Sequence, residues 1–259
     1  MTPIELWAAD MEFAGRAPST VTCRARALRN LAREAGDPLT LTKADLVGWL
    51  TRRPNPSTRS TLLAYVRAFY QWAVREGLLD TDPTDRIAAI KVPAKDPRPA
   101  DVDDISAALA QADERTRSMI LLMAYTGLRC CEVAGVRPDH FHQGADGRWT
   151  LEIPRSKGGH QQTVKVPAHV ATAVLAGPTW DVGAQSVQKT VRAAFKAAGS
   201  PVTPHQLRHY FGTTMLQMTD NLRIVQEAMR HASPATTARY TRVESSELSD
   251  AAEALPHIA

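Results

Sequence analysis

The sequence predicts a mainly α-helical protein with one small antiparallel β-sheet, divided into two domains. Three observations carry this expectation. Apolar residues recur at helical spacing through most of the chain. Two short alternating stretches, Trp149–Ile153 and Gln162–Val166, flank the turn-forming run Pro154-Arg155-Ser156-Lys157-Gly158-Gly159, the pattern of a β-hairpin. A proline-rich basic stretch, Lys91-Val92-Pro93-Ala94-Lys95-Asp96-Pro97-Arg98-Pro99, interrupts any helix and reads as an extended linker. The expected domains are therefore residues 1–90 and 100–259, joined by residues 91–99.

In the first domain, helices are expected over residues 3–13, 19–35, 42–50 and 57–76. The last carries Leu62, Tyr65, Val66, Phe69, Trp72 and Ala73 along one stripe. Ser19, Thr42 and Ser57 are expected N-caps, and Gly36 and Gly77 expected stops. In the second domain, residues 101–111 and 116–125 have helical pattern, and Gly127 breaks the latter. After the hairpin, helical pattern resumes from Ser186, broken at Pro201, Pro204 and Pro234.

Composition narrows the function classes. At 259 residues and 44% hydrophobic, the chain can bury one large core or two modest ones. It has no apolar run of roughly 18 residues, so a membrane span is not expected. The first ten residues lack a basic-then-apolar signal pattern, and a cytoplasmic protein is expected. Three cysteines, Cys23, Cys130 and Cys131, form neither a disulfide framework nor a CxxC site; they read as small buried thiols. No GxxxxGK[ST] phosphate-binding loop occurs in the sequence. Asp139, His140 and His142 are too loosely spaced to make a convincing metal loop.

Net charge is only +4, but its distribution is uneven. Arg16, Arg24, Arg26, Arg29 and Arg33 occupy one stretch without an acid, and Arg52, Arg53, Arg59, Arg67 and Arg75 another. Guanidinium forks match phosphate oxygens, and counterion release drives binding, so these blocks suit a nucleic-acid backbone. Two solvated helix faces would give the same pattern.

Four local clusters can carry chemistry. In Thr203-Pro204-His205-Gln206-Leu207-Arg208-His209, a threonine cap, a proline at the first position and a glutamine three residues past the cap open a helix. His205 and Arg208 then share one face near its positive end, a seat for an anion. In Thr126-Gly127-Leu128-Arg129-Cys130-Cys131-Glu132, the glycine permits a sharp turn projecting Arg129, and Glu132 lies one helical turn on. Lys157 sits in the hairpin turn. In Met229-Arg230-His231-Ala232-Ser233-Pro234, and on to Thr237-Ala238-Arg239-Tyr240, a histidine precedes a short helix that a tyrosine closes.

The order Arg129, Lys157, His205-x-x-Arg208, His231, Tyr240 resembles the tyrosine recombinase (phage integrase) family, over the stretches TGLRCCE, RSKGGH, TPHQLRHYFGTTML and MRHASPATTARYT. The resemblance implies a site-specific recombinase that cuts and rejoins DNA through a 3′-phosphotyrosyl link to Tyr240, without metal or ATP. Arg129 and Arg208 would clamp the nonbridging oxygens, His205 and His231 would add hydrogen bonds, and Lys157 would protonate the leaving 5′ oxygen. Glu132 would support Arg129, and His209 would be structural. Residues 1–90 would be a core-site-binding domain and residues 100–259 the catalytic domain.

The implied partners are double-stranded DNA at specific core sites, further copies of the chain forming a tetramer on DNA from a free monomer, and a directionality factor; the setting would be a bacterial nucleoid. Met1 lies just before the first helix, so no arm-site-binding domain is expected. Leu248, Ala251, Ala252, Leu255 and Ile258 form a partly apolar tail that would dock on a neighbouring subunit or pack on its own domain. One departure stands out: Arg230 occupies the position where the family usually has glycine, and would crowd the turn or add a phosphate contact. Within the same chemistry, a chromosome-dimer resolvase and a type IB topoisomerase fit the motifs too, and a DNA-binding module without catalysis is the alternative from another class. DNA contact is expected from Arg24, Arg26, Arg29, Arg33, Arg52, Arg53, Arg59, Arg67, Lys91 and Lys95. Replacing Arg26, Arg29 and Arg33 with alanine should weaken DNA binding and flatten its salt dependence by roughly one slope unit for each phosphate no longer neutralised; a salt titration giving unchanged affinity and slope would assign this face to solvent.

Overall fold

The computed structural model of the chain describes residues 1–93, 98–153 and 162–230. It separates into two compact units, Met1–Lys95 and Asp96–Ala259. Each has its own hydrophobic core.

The first unit contains α1 (Pro3–Phe13), α2 (Pro18–Ala35), α3 (Lys43–Thr51) and α4 (Pro56–Arg75). Helix α4 supplies the centre: Val66, Phe69 and Tyr70 are fully buried, against Trp7 of α1, Leu28 and Leu31 of α2, and Leu46 and Trp49 of α3. Trp72 Nε1 donates to Asp10 Oδ2 at 2.6 Å, tying α4 to α1, and the Tyr70 hydroxyl donates to the Pro38 carbonyl at 2.6 Å. Buried donors with short bonds are satisfied rather than orphaned, which lets large aromatic side chains enter the core.

The helix starts differ in detail from the expected caps. Thr42 caps α3 in a reciprocal box with Asp45. Pro18 instead opens α2 after Ala17, with Ser19 inside the first turn and no side-chain cap. Pro56 likewise opens α4, and Asn55, not Ser57, is the cap, accepting from the Ser57 N–H at 2.9 Å. In both cases proline takes the first position, where its fixed φ fits and its missing N–H costs nothing, moving the boundary upstream of the serine.

The second unit contains α5 (Val102–Gln111), α6 (Glu114–Thr126), α7 (Cys130–Val133), β1 (Phe141–Gln143), β2 (Trp149–Ile153), β3 (Gln162–Val166), α8 (Ala168–Ala176), α9 (Ala184–Ala197), α10 (Pro204–Thr219) and α11 (Leu222–Ala228). The sheet order is β1-β2-β3, antiparallel throughout, with Phe141 opposite Leu151 and Leu151 opposite Val164. The mainly α fold with a small antiparallel sheet is as the sequence predicts. Two elements escape periodicity. Strand β1 is only three residues long, and α8 is an alanine- and valine-rich helix without a charged stripe to mark its outer face.

Helix α6 is the strut of this unit. Met119, Ile120, Leu122, Met123 and Ala124 are buried, and the helix packs on α8, α9, α10 and β3. A helix apolar on most sides belongs in a core. It ends at Gly127, which takes a left-handed φ of +63° and donates its N–H to the Met123 carbonyl. The turn lies directly under Phe211 of α10, so a Cβ at residue 127 would come within 2.5 Å of the ring. Gly127→Ala should therefore destabilise the second unit by about 1–3 kcal/mol, through positive φ and overpacking together. Chemical denaturation measures this, and a loss under about 0.5 kcal/mol would contradict the close approach.

Candidate active site

Three short segments converge in the second unit: the α6–α7 turn, the start of α10 and the end of α11. Arg208, in the second turn of α10, joins them. Its side chain is buried, at 3% exposure, and its guanidinium donates through Nη1 to the Gly127 carbonyl and through Nη2 to the Met229 carbonyl. A guanidinium taken out of water needs its N–H groups matched, and C-terminal helix carbonyls, which lack intrahelical partners, are natural acceptors. One side chain thus pins the end of α6 to the end of α11.

The helix start carrying Arg208 forms as expected. Pro204 is its first residue, and the Gln206 side chain accepts from the Thr203 N–H at 3.0 Å and from its hydroxyl at 2.9 Å. The sequence pattern sets His205 and Arg208 on one face of this helix and Leu207, Tyr210, Phe211 and Met215 on the opposite, core-facing side, a division that needs correction. Leu207 is buried, but so is Arg208, while Tyr210, Phe211 and Met215 are only partly covered. The arginine sits in the interior because it bridges two carbonyls there, an interaction that periodicity does not encode.

Arg129 immediately precedes α7. Its backbone N–H donates to Glu132 Oε2 at 2.8 Å and its Nη1 to Oε1 at 3.0 Å. Glu132 is 2% exposed, whereas the Arg129 side chain is 40% exposed. The carboxylate therefore stands behind the arginine and holds it, leaving part of the guanidinium open to a ligand. Arg230 reaches the same carboxylate from the end of α11, Nη2 to Oε2 at 2.8 Å. Burial pushes the Arg230 guanidinium below its ordinary value; Glu132 works against that, and Arg129 adds to it. Arg230 adopts a left-handed φ of +54°, as a side chain crowding this turn would, and its guanidinium turns inward onto Glu132.

His205 faces the same charges. The residue is exposed at the surface, yet its pKa is lowered, first by desolvation of the part of the ring that lies against the protein and then by the positive charges of Arg208 and Arg129. Its ring meets that of His209 edge-on, centroids 4.5 Å apart. Arg129, Glu132, His205 and Arg208 thus come together. Lys157, His231 and Tyr240 lie outside the described residues, as does the tail beyond them. The partnership of Arg230 with Glu132 escaped sequence reasoning. The available signal was an arginine where the backbone favours glycine, next to a site rich in cations with a single conspicuous acid.

The remaining expected residues are dispersed. Arg26, Arg29 and Arg33 lie three and four residues apart on an exposed face of α2, and Arg52 and Lys91 are exposed. Arg53 pairs with Glu34 and stacks over Trp49, Arg67 donates to the Ile87 carbonyl, and Arg24 and Arg59 are partly buried. Lys95 lies outside the described residues. Cys131 is exposed, not buried, and burial pushes the Cys130 thiol pKa up. His140 Nδ1 accepts from the Arg137 N–H at 3.2 Å, and His142 lies 3.8 Å from Glu152. Those local roles account for both histidines, and no group of three metal-ligating side chains occurs among the described residues.

The phage integrase family model matches residues 179–247. Tyrosine recombinase XerC of Stutzerimonas stutzeri (strain A1501) is 31% identical over 218 residues, covering 74% of this chain and 72% of its own length. Tyrosine recombinase XerC of Rhodospirillum centenum (strain ATCC 51521 / SW) is 32% identical over 233 residues, covering 77% and 67% respectively. Among solved structures, a lambda integrase fragment, determined as a dimer bound to a core site, matches with a TM-score of 0.73 over 93% of this chain and 96% of its own, at 16% identity. That last likeness is one of fold.

The depressed pKa of His205 has a testable sign. Its folded form resists protonation, so its contribution to stability is present above the ordinary imidazole value and is lost as pH falls through the folded pKa. An NMR titration of the free protein should place the His205 midpoint below the ordinary value of about 6.5. In Arg129→Ala the midpoint should rise; a wild-type midpoint at or above the ordinary value would contradict this electrostatic picture.

Proposed function

The chain belongs to the tyrosine recombinase (phage integrase) family, and from that premise we propose how its residues cut and rejoin DNA at specific sites. The observation that carries the reading is the convergence of Arg129 and Arg208 beside His205, with Glu132 bracing Arg129 from behind. Two guanidinium groups and an imidazole at one point suit a phosphodiester, whose oxygens gain negative charge as phosphorus becomes five-coordinate.

In the proposed reaction the Tyr240 oxygen attacks phosphorus and the P–O5′ bond breaks. The phenolic proton passes to the histidine side of the site, where His205 and His231 lie in this reading. The 5′ oxygen leaves with a proton from Lys157. A phenol with an ordinary pKa near 10 is a weak nucleophile at neutral pH, and adjacent cations help it ionise. The product is a 3′-phosphotyrosyl enzyme and a free 5′ hydroxyl. Rejoining is the reverse attack by a 5′ hydroxyl, so the phosphoester energy is retained and no nucleotide is consumed. Neutral His205 suits this work: with its pKa held down it can accept a proton near neutral pH, whereas an imidazolium could only donate.

In this reading the first unit supplies binding, with Arg26, Arg29, Arg33 and Arg52 as phosphate contacts. Arg53 and Arg67, engaged within that unit, contribute less. The partners are core-site DNA, further copies of the chain in a tetramer on that DNA, and a directionality factor. No described helix is long and apolar enough to cross a membrane. The proposed setting is the cytoplasm of a bacterial host, where the enzyme integrates and excises phage or mobile-element DNA. Incubation with a nicked suicide substrate carrying a core site mapped in a two-plasmid assay provides the test. The wild-type chain should become covalently attached to DNA, and Tyr240→Phe should bind the same DNA without attachment. An adduct that survives Tyr240→Phe would overturn the assignment of the nucleophile.

A further inference from the structure

Residue 230 carries a long side chain where the backbone favours none. Its φ is +54°, in the left-handed region that glycine enters freely and L residues avoid. The other described non-glycine residue with positive φ is Asp220, of a short polar type that tolerates this region better. Arginine has no such local advantage, so the side chain must be retained for what it reaches.

It reaches the carboxylate that holds Arg129. Nη2 of Arg230 donates to Glu132 Oε2 at 2.8 Å, with the two side chains 7% and 2% exposed. The rest of the guanidinium gains little from the described residues, among which its buried Nε and Nη1 find no hydrogen-bond partner. A strained backbone, a desolvated cation and two nitrogens without a partner among the described residues make a poor device for stability alone.

The arrangement has two effects on the site. The first is electrostatic. Arg129 and Glu132 alone form a neutral pair, which dilutes the attraction for an anion; Arg230 makes the trio formally +1, two guanidinium groups against one carboxylate. The second is mechanical. The Met229 carbonyl is held by Arg208, and the next side chain, Arg230, is held by Glu132. Consecutive residues are therefore fastened to the two halves of the arginine pair, at the point where the chain proceeds to His231 and Tyr240 in sequence.

We propose that Arg230 is a positioning residue for strand cleavage: it offsets the Glu132 charge behind Arg129 and registers the chain leading to His231 and Tyr240 on the phosphate-binding arginines. This rests on the recombinase reading above. Arg230 acts through Glu132 and the backbone rather than on the phosphate itself. Its effect should therefore fall on the rate of cleavage more than on DNA affinity.

The test uses the full chain and the same nicked core-site duplex, measuring the adduct-forming rate at saturating DNA, the half-saturating DNA concentration and the melting temperature. Arg230→Gly should slow adduct formation by about 10- to 100-fold, as expected when catalytic groups lose their register. It should leave half-saturation within about threefold, with the melting temperature still above the assay temperature so that the variant is compared in its folded state. Arg230→Lys, which keeps a cation, should recover part of the rate. If Arg230→Gly does not fold, Arg230→Lys against Arg230→Met gives the same contrast, with lysine the faster. A glycine variant cleaving within about twofold of wild type, or lysine and methionine variants of equal rate, would overturn the proposal. The absence of any adduct with the wild-type chain would instead overturn the recombinase reading on which it rests.

Discussion

A guanidinium buried inside the second unit holds its candidate site together. Arg208 spans the carbonyls of Gly127 and Met229, the terminal positions of two helices that are far apart in sequence. Neither carbonyl has an intrahelical donor, and an arginine of fixed planar shape can meet both at once. Around that bridge the other groups take their places: Gly127 turns the chain so that Arg129 emerges one residue after Leu128, and Met229 sets where the chain leaves α11. The core supports the arrangement from below, because α6 is enclosed by α8, α9, α10 and β3 and cannot shift its end without unpacking them.

Glu132 gives the site its second level of organisation. A carboxylate 2% exposed beside a proposed anion site looks counterproductive, since it repels the ligand that the arginines attract. Its geometry answers this: both oxygens are occupied, by the Arg129 backbone and side chain and by Arg230, so its charge serves orientation. A buried ion pair offsets much of its attraction with the cost of desolvation, so its consequence here is read from geometry. Here the geometry is that of Arg129, whose side chain remains partly open while its base is fixed.

Much of the fold was legible from residues alone, for definable reasons. The helices of the first unit are strongly periodic, so their bounds shift by no more than one residue, at the starts of α2 and α4 because Pro18 and Pro56 displace the expected serine caps. Strands β2 and β3 alternate cleanly around a turn-rich run. What resisted reading was either too short for a period, as with β1, or lacked contrast between faces, as with α8. The candidate site was legible as a set of residue types in order, because each motif has its own local logic, such as the capped start of α10. Its internal wiring was not. That Arg208 is buried, that Arg53 and Arg67 are engaged within their own unit, and that Arg230 turns towards Glu132 all depend on contacts between residues distant in sequence.

The two hydrophobic cores share no residue. Each core constrains the substitutions of its own unit, and Arg208 and Glu132 belong to the second. If the exposed arginines of α2 meet DNA as proposed above, that face can drift or be exchanged in evolution while the residues around Arg208 stay under their own constraint. On that proposal, a lineage with this architecture can acquire a new genomic address without reinventing the means of breaking a strand.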